Sequence, residues 1–168
     1  MKKGRIGIVV AVAAALAAAL GLGLIIYGQI AEPGEYVPAD DEIALQIQLD
    51  TEEDIGLLVF DYCADGREYS GGMSNADKSL MRHDERLAEV WKKEMLGCSA
   101  DTVELSIRFR IITEYADPNF ENIYAEDITE SVGGPLAWTA RFGESYYVTI
   151  SGGRSGGYRA ALEQQPPA

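Results

Sequence analysis

Three side chains with oxygen ligands recur at alternate positions in an acidic stretch of the chain: Asp117, Asn119 and Glu121. Calcium binds carboxylate and amide oxygens, and calcium-binding loops begin with this alternation. The pattern then departs from an EF-hand, because Asn122 stands where glycine is needed and Ile128 where a bidentate glutamate would bind. The stretch therefore predicts an irregular calcium site. A solvated loop that caps one end of the fold is the other interpretation, and the general behaviour of such loops favours it.

Other residues with catalytic or metal-binding chemistry are few. His83 is the only histidine, which excludes zinc sites built from several histidines. No nucleophile elbow accompanies it, and the glycine-rich segment 151–157 lacks the Lys-Ser/Thr ending of a phosphate-binding loop. The sequence therefore predicts a protein that is not an enzyme. A hydrolase that uses two facing carboxylates is the alternative, since 27 acidic residues are present.

The two cysteines, Cys63 and Cys98, are far apart in the sequence and lack the spacing of metal ligands. In an exported domain they could form a disulfide, which would stabilise the fold by about 3–4 kcal/mol because it closes a long loop. The alternative is two buried free thiols. The sequence leaves both interpretations open.

Acidic residues outnumber basic ones by 27 to 14. Three basic residues precede the first acidic residue, Glu32, so the rest of the chain has 11 basic residues and a net charge of −16. A field of this sign repels phosphate backbones, and we expect no nucleic-acid partner. The charge is typical of a soluble acidic domain. It would also attract cations or a basic protein surface.

The most hydrophobic segment is 6–27, a run of 22 residues without a charge. As a helix it would be about 33 Å long, enough to cross the hydrocarbon core of a bilayer. Lys2, Lys3 and Arg5 precede it and acidic residues follow it. The positive-inside rule then places residues 1–5 in the cytoplasm and the remainder outside. We predict an uncleaved signal-anchor that holds the protein in the cell membrane.

A cleaved signal peptide is the alternative to this anchor. Ala17-Ala18-Ala19 meets the small-x-small cleavage rule, but the residues that follow are still membrane-like. The apolar run is also longer than the roughly 7–15 residues typical of a signal peptide. Both features favour the anchor.

Small residues recur at every fourth position along the same segment. This small-residue seam lets two transmembrane helices approach closely, and it consists of Gly7, Ala11, Ala15, Ala19 and Gly23. It predicts that the anchors associate with one another. An accidental spacing within an alanine-rich helix is the alternative.

Alternation of apolar and polar residues predicts strands in the rest of the chain. The strongest case is 103–111, where five large apolar side chains fall on every second residue. Asp65-Gly66 and Gly143-Glu144 are typical of tight hairpin turns. Further strands are predicted at 43–49, 55–63, 67–73, 136–142 and 146–150.

The region 84–96 allows two structures. Its apolar residues recur at helical spacing, which favours one short amphipathic helix. The alternative is an edge strand over 86–92. That strand would place Glu89 on the same face as Leu87 and Trp91.

These elements predict a mainly β fold: an antiparallel β-sandwich, either immunoglobulin-like or a partly open barrel, with one short helix. The layout is similar to membrane-tethered immunoglobulin-like modules in topology and composition. The predicted organisation is a cytoplasmic end at 1–5, a transmembrane helix at 6–27, a linker at 28–42, an extracytoplasmic domain at 43–152 and a flexible tail at 153–168.

The function that we expect is non-catalytic. A single-pass membrane protein would present a small acidic domain outside the cytoplasm, where it binds an unidentified protein partner or takes part in an assembly. A calcium-binding module and a carboxylate-dependent hydrolase are the alternatives. Calcium is the only cofactor that the sequence suggests.

Overall fold

The computed structural model describes residues 35–114 and 125–163. This part of the chain is mainly β, as predicted, with a single 3-10 turn at Glu126–Ile128 as its helix. The strands are β1 (Glu42–Thr51), β2 (Leu57–Ala64), β3 (Arg67–Met73), β4 (Arg86–Lys92), β5 (Thr102–Ile112), β6 (Thr129–Arg141), β7 (Ser145–Gly153) and β8 (Gly157–Glu163).

Strand β5 carries the alternation that the sequence shows at 103–111. From 103 to 111 its odd-numbered residues are buried, and the even-numbered residues between them face outward, because successive side chains of a strand point to opposite faces. Each buried side chain contributes about 2 kcal/mol through removal of apolar surface from water. The strand pairs with β2 on one side and β6 on the other, so it lies inside the sheet.

All eight strands belong to one sheet with the order β3-β2-β5-β6-β8-β7-β1-β4. The sheet has two four-stranded halves, which we call the β2/β5 half (β3-β2-β5-β6) and the β1/β7 half (β8-β7-β1-β4). A single parallel pair, Val132 with Tyr158, joins them through β6 and β8. The ladder of backbone hydrogen bonds is therefore nearly interrupted at the middle of the sheet.

The two halves curl over a common core. Tyr62 of β2 and Trp91 of β4 belong to opposite ends of the sheet, yet their ring centroids are 4.9 Å apart. Both side chains are buried, and residues from both halves form one hydrophobic cluster. The strands β3 and β4 form the two free edges of this curled sheet.

Residues 86–92 form strand β4, so the helix predicted for 84–96 is wrong and the edge-strand alternative is right. Pairing with β1 places Leu87, Glu89 and Trp91 opposite Ile47, Leu45 and Ile43. These partners are buried, and contact with them outweighs the helical spacing of the apolar residues. Tertiary packing has overridden a weak local preference.

Residues 157–163 form strand β8, so the flexible tail predicted from residue 153 is wrong for this segment. Tyr158 is buried and anchors the strand to the core despite the glycines that precede it. The sheet is also not wholly antiparallel. Strands β1 and β7 pair in parallel over eight residue pairs, which the prediction of an antiparallel fold did not include.

In residues 35–114 and 125–163, no helix has the length and apolar character needed to span a membrane. The predicted transmembrane helix at 6–27 and its small-residue seam lie outside these described residues.

Candidate functional site

The outward face of the β2/β5 half is polar and concave. Side chains on this face alternate with the buried ones of β2, β3 and β5. Together with Pro135 in the middle of β6 they line a depression of about 500 Å³. We call it the outer groove. Its lining residues are Asp61, Tyr62, Cys63, Glu68, Tyr69, Ser70, Ser106, Arg108 and Pro135.

Two arginines lie on the outward face of β5: Arg108 lines the outer groove, and Arg110 lies beside it. Arg110 forms an ion pair with Asp61, with an Nη2–Oδ2 distance of 3.0 Å. Arg108 lies opposite Asp61 in the strand register, is exposed, and has no ion-pair partner among the described residues. Because the nearest carboxylate is already engaged by Arg110, the Arg108 guanidinium is free to bind an external acceptor such as a carboxylate or a carbonyl group.

The groove borders the free edge of β3. Glu68 and Ser70 both line the groove and belong to this edge strand. Their exposed positions mean that a molecule in the groove would also reach the backbone groups of the edge. Side-chain chemistry and unpaired backbone groups are therefore available at one place.

A second polar cluster lies at the end of the sheet where the β7–β8 hairpin meets the loop after β1. The hydroxyl of the buried Tyr158 donates a hydrogen bond to Glu53, and the backbone N–H of Arg154 donates to the same carboxylate at 2.9 Å. These donors hold the pKa of Glu53 below its usual value, with the Tyr158 hydrogen bond as the larger cause. The guanidinium of Arg154 in turn donates to Thr113 and pairs with Glu114. This cluster fixes the hairpin to the end of β5.

Glu89 is the carboxyl group that faces inward on β4. Burial raises its pKa, and no neighbouring carboxylate contributes to the shift. The indole N–H of Trp91 opposes part of this effect, although its geometry falls outside hydrogen-bonding limits. Glu89 thus lies at the rim of the core as a partly desolvated acid, with no ion-pair partner in residues 35–114 and 125–163.

His83 contacts Asp54, with an Nδ1–Oδ1 distance of 3.0 Å and a backbone hydrogen bond from His83 N–H to the same oxygen at 2.9 Å. Both side chains are about half exposed. Asp84, its neighbour in sequence, pairs with Arg82 instead. The histidine therefore ties two surface loops together.

The two cysteines are free thiols on different sides of the sheet. Cys63 alternates with the buried Tyr62 and Ala64 and so points into the outer groove. Cys98 packs against the hydrophobic core, and burial followed by the charge of Asp65 raises its pKa. The disulfide between them stays a prediction that a thiol assay can test.

The predicted calcium ligands Asp117, Asn119 and Glu121 lie outside the described residues. Within residues 35–114 and 125–163, no three His, Cys, Asp or Glu side chains are grouped as a metal site would require. The calcium site therefore stays a prediction about the loop alone.

The outer groove was not predicted from the sequence. The strand at 55–63 was predicted without a polar outward face, whereas Asp61 is exposed and Cys63 half-buried. The signal was present in the alternation of Ser106, Arg108 and Arg110 on the polar face of β5. It could be combined with Asp61 only after the register between β2 and β5 was known.

No family model matches the chain, and no curated protein matches it. Among solved structures it is similar to pneumolysin, at 11% identity and a TM-score of 0.37 over 74% of this chain. A non-hemolytic pneumolysin from Streptococcus pneumoniae matches at 10% identity and a TM-score of 0.37 over 75% of this chain. The chain spans 24% of each of these two proteins. The membrane-binding domain of pneumolysin matches at 10% identity and a TM-score of 0.37, with coverage of 75% of this chain and 99% of that domain. TM-scores this low carry no argument about function.

Proposed function

We propose that this protein is a non-catalytic, single-pass membrane protein whose domain binds a protein partner or takes part in an assembly outside the cytoplasm. The observation that supports the proposal is the outer groove beside the free edge of β3. Arg108 lies in this groove and has no ion-pair partner in the part of the chain that the structure describes. The location rests on the uncharged segment 6–27 and the basic residues before it. We also propose that the domain is a β-sandwich whose two layers are the β2/β5 half and the β1/β7 half.

A protein partner fits the groove better than a small molecule does. The depression is shallow, polar and open, whereas small-molecule sites are mostly apolar and enclosed. Serine hydroxyls and an unpaired arginine are groups that pair with backbone and carboxylate groups of another protein. The adjoining strand edge adds further donors and acceptors of the same kind.

The carboxylate hydrolase is less well supported by the geometry. Glycoside hydrolysis needs two carboxyl groups that face one cleft, one of them with a raised pKa. Glu89 is the carboxyl group whose pKa is raised among the described residues, and its shift comes from burial rather than from a second carboxylate. A binding role requires no such pair.

Site-specific photocrosslinking of the full chain in its own membrane tests the proposal. A photoreactive residue at position 106, inside the groove, should give a discrete crosslinked product. Arg108→Glu should abolish this product, because it reverses the charge that binds the partner. Position 159 is the control, since Arg159 is an exposed arginine on the other half of the sheet. Equal products from positions 106 and 159, or a product that Arg108→Glu leaves unchanged, would overturn the proposal.

A further inference from the structure

We propose that the free edge of β3 pairs with the same edge of a second copy of this chain, in antiparallel orientation and centred on Ser70. This inference rests on the proposed assembly role and names the partner. Three features of the edge support it. Backbone groups of β3 face outward, β3 largely lacks the charged side chains that discourage pairing at β4, and one register makes the edge complementary to itself.

The hairpin between β2 and β3 fixes which backbone groups of β3 are free. Asp65 and Gly66 both have positive φ, at 47° and 82°, so the turn has two residues and the flanking Ala64 and Arg67 form a hydrogen-bonded pair. Along β3 from this pair, residues whose backbone is hydrogen-bonded to β2 alternate with residues whose backbone is not. The backbone N–H and C=O groups of Glu68, Ser70 and Gly72 therefore point away from β2, and no described residue is hydrogen-bonded to them.

The pairing of β2 with β5 gives the same assignment independently. The backbone N–H of Asp65, directly after β2, donates to the carbonyl oxygen of Glu104 in β5 at 3.0 Å. Odd-numbered residues of β2 thus bond towards β5, and even-numbered ones bond towards β3. Since Tyr62 pairs with Tyr69, the bonded positions of β3 are odd-numbered and the free ones are even-numbered.

The β4 edge carries features that discourage pairing, and the β3 edge largely lacks them. Inward-pointing charge and basic residues are devices that keep edge strands apart. Strand β4 has Glu89 on its inward face, with Arg86 and Lys92 exposed at its ends. On β3 the inward positions after Arg67 are uncharged, and the guanidinium of Arg67 itself donates to Leu96 O at 3.4 Å.

Two glycines leave the β3 backbone accessible. A Cβ on Gly71 would lie 2.5 Å from the Phe60 ring, so the packing of Phe60 explains this glycine. A Cβ on Gly72 would meet Leu58 O at 3.3 Å, a milder restriction. Packing within the domain therefore requires glycine less strongly at position 72 than at position 71. Glycine in a strand often marks a place where another backbone approaches.

A register centred on Ser70 makes the edge complementary to itself. Ser70 then lies opposite Ser70 of the second copy, and Glu68 lies opposite the second copy's Gly72. The outward-pointing backbone groups of Glu68, Ser70 and Gly72 can then all bond to the second copy, and no two like charges lie directly opposite each other. On the inward face Tyr69 lies opposite the second copy's Gly71, where an aromatic ring can cover the glycine. Centring the pairing on Glu68 instead would place two glutamates opposite each other.

The acidic charge of the domain opposes this pairing at low ionic strength. The Debye length falls from about 30 Å at 0.01 M salt to about 8 Å at physiological ionic strength, so the repulsion is largely screened there. Pairing of two copies should therefore strengthen as salt is added. Binding of a basic protein by the acidic surface would weaken under the same change.

Disulfide trapping in the full chain, purified in detergent at physiological ionic strength, tests the inference. In a background of Cys63→Ser and Cys98→Ala, Ser70→Cys should form a disulfide-linked dimer under mild oxidation. We expect it to form at least about tenfold faster than the dimer of Ala88→Cys, because a formed interface holds two thiols at high effective concentration. Ala88 is the matched control: it is exposed, and its backbone N–H faces away from β1 on the other edge.

A mixing experiment tests the register. Chains with Glu68→Cys should crosslink to chains with Gly72→Cys more readily than either crosslinks to itself. Equal rates for Ser70→Cys and Ala88→Cys would overturn the inference and would indicate contact through the anchors alone. A product that depends on Arg108, obtained without crosslinking at position 70, would leave the proposed binding role standing and remove the second copy as partner.

Discussion

Gly71 and Tyr158 show how single residues hold the two halves of the sheet in place. Gly71 leaves space on β3 for the ring of Phe60, which is buried in the core. Tyr158 is the β8 member of the one strand-paired residue couple that joins the halves among the described residues, and its hydroxyl donates to Glu53. Neither role was visible in the sequence, because each depends on a residue from a different strand.

Gly71→Ala should destabilise the fold. The new Cβ would lie 2.5 Å from Phe60 Cε2, so the ring or the strand must move, and we expect a loss of about 1–3 kcal/mol in the free energy of unfolding. Urea denaturation measures it. Gly134→Ala is the control, since a Cβ there meets no atom within 4 Å. Equal stability of the two variants would contradict the packing role.

Tyr158→Phe should remove a hydrogen bond to a charged carboxylate and cost about 1–2 kcal/mol at neutral pH. The folded pKa of Glu53 is lowered, so the stabilisation is present above the unfolded pKa of about 4.3 and is lost as pH falls through the lower folded value. The stability difference between wild type and variant should therefore shrink on acidification. Urea denaturation at several pH values measures this difference.

Tyr69→Phe is the matched control for this measurement. Its hydroxyl donates to a backbone carbonyl, Leu96 O, at 3.2 Å. The acceptor is neutral and does not titrate, so this variant's stability difference should stay constant over the same pH range. A difference for Tyr158→Phe that does not change with pH would contradict the role assigned to Glu53.

At the scale of elements, the strands β1, β5 and β7 were predictable because two-residue alternation is a strong signal. The hairpin between β2 and β3 was predictable from Asp65-Gly66. Strand β4 was not, since its helical spacing of apolar residues concealed an edge strand with Glu89 facing inward. Strand β8 was missed because one buried tyrosine, rather than a periodic pattern, attaches it to the core.

Glu89→Gln should raise the urea midpoint at neutral pH. Burial raises the folded pKa of Glu89, so at pH values between the unfolded and the folded pKa the native chain binds more protons than the unfolded chain. Wild-type stability therefore falls as pH rises from about 4.3 through the folded value, whereas the glutamine variant lacks this loss. The advantage of the variant should appear on going from acidic to neutral pH. Glu68→Gln, at an exposed position, is the control. An equal change of the urea midpoint with pH in the two variants would contradict the burial argument.

At the scale of the whole molecule, charge was the property that the sequence predicted most directly. The excess of acidic residues follows from counting, but the outer groove does not, because its arginines and Asp61 come together only through the register of β2 with β5. Long-range register depends on which strands meet in the fold. A single sequence shows the faces of strands and leaves their neighbours open.

Self-repulsion among the acidic residues should make the protein more stable in salt. We expect the urea midpoint at pH 7 to be higher in 0.5 M sodium chloride than in 0.01 M, because screening reduces repulsion in the compact state. The same comparison near the sequence pI of about 4.4 is the control, since the net charge is then close to zero and the salt effect should vanish. A midpoint that falls with salt at pH 7 would show that specific ion pairs such as Asp61–Arg110 dominate.

The place of β8 between β6 and β7 has a consequence for how the chain is made. Synthesis proceeds from the N-terminus, so β1 emerges long before β7, its parallel neighbour, and β8 emerges last of the strands that the structure describes. Within the β1/β7 half, β1 can pair with β4 early, but the pairs of β7 with β1 and β8 cannot form until most of the domain has been produced. Pairings so distant in sequence fold slowly. Until then, the apolar faces of β1 and β5 are exposed to chaperones and proteases, and a nascent chain stalled before Gly157 would lack the strand that joins the two halves.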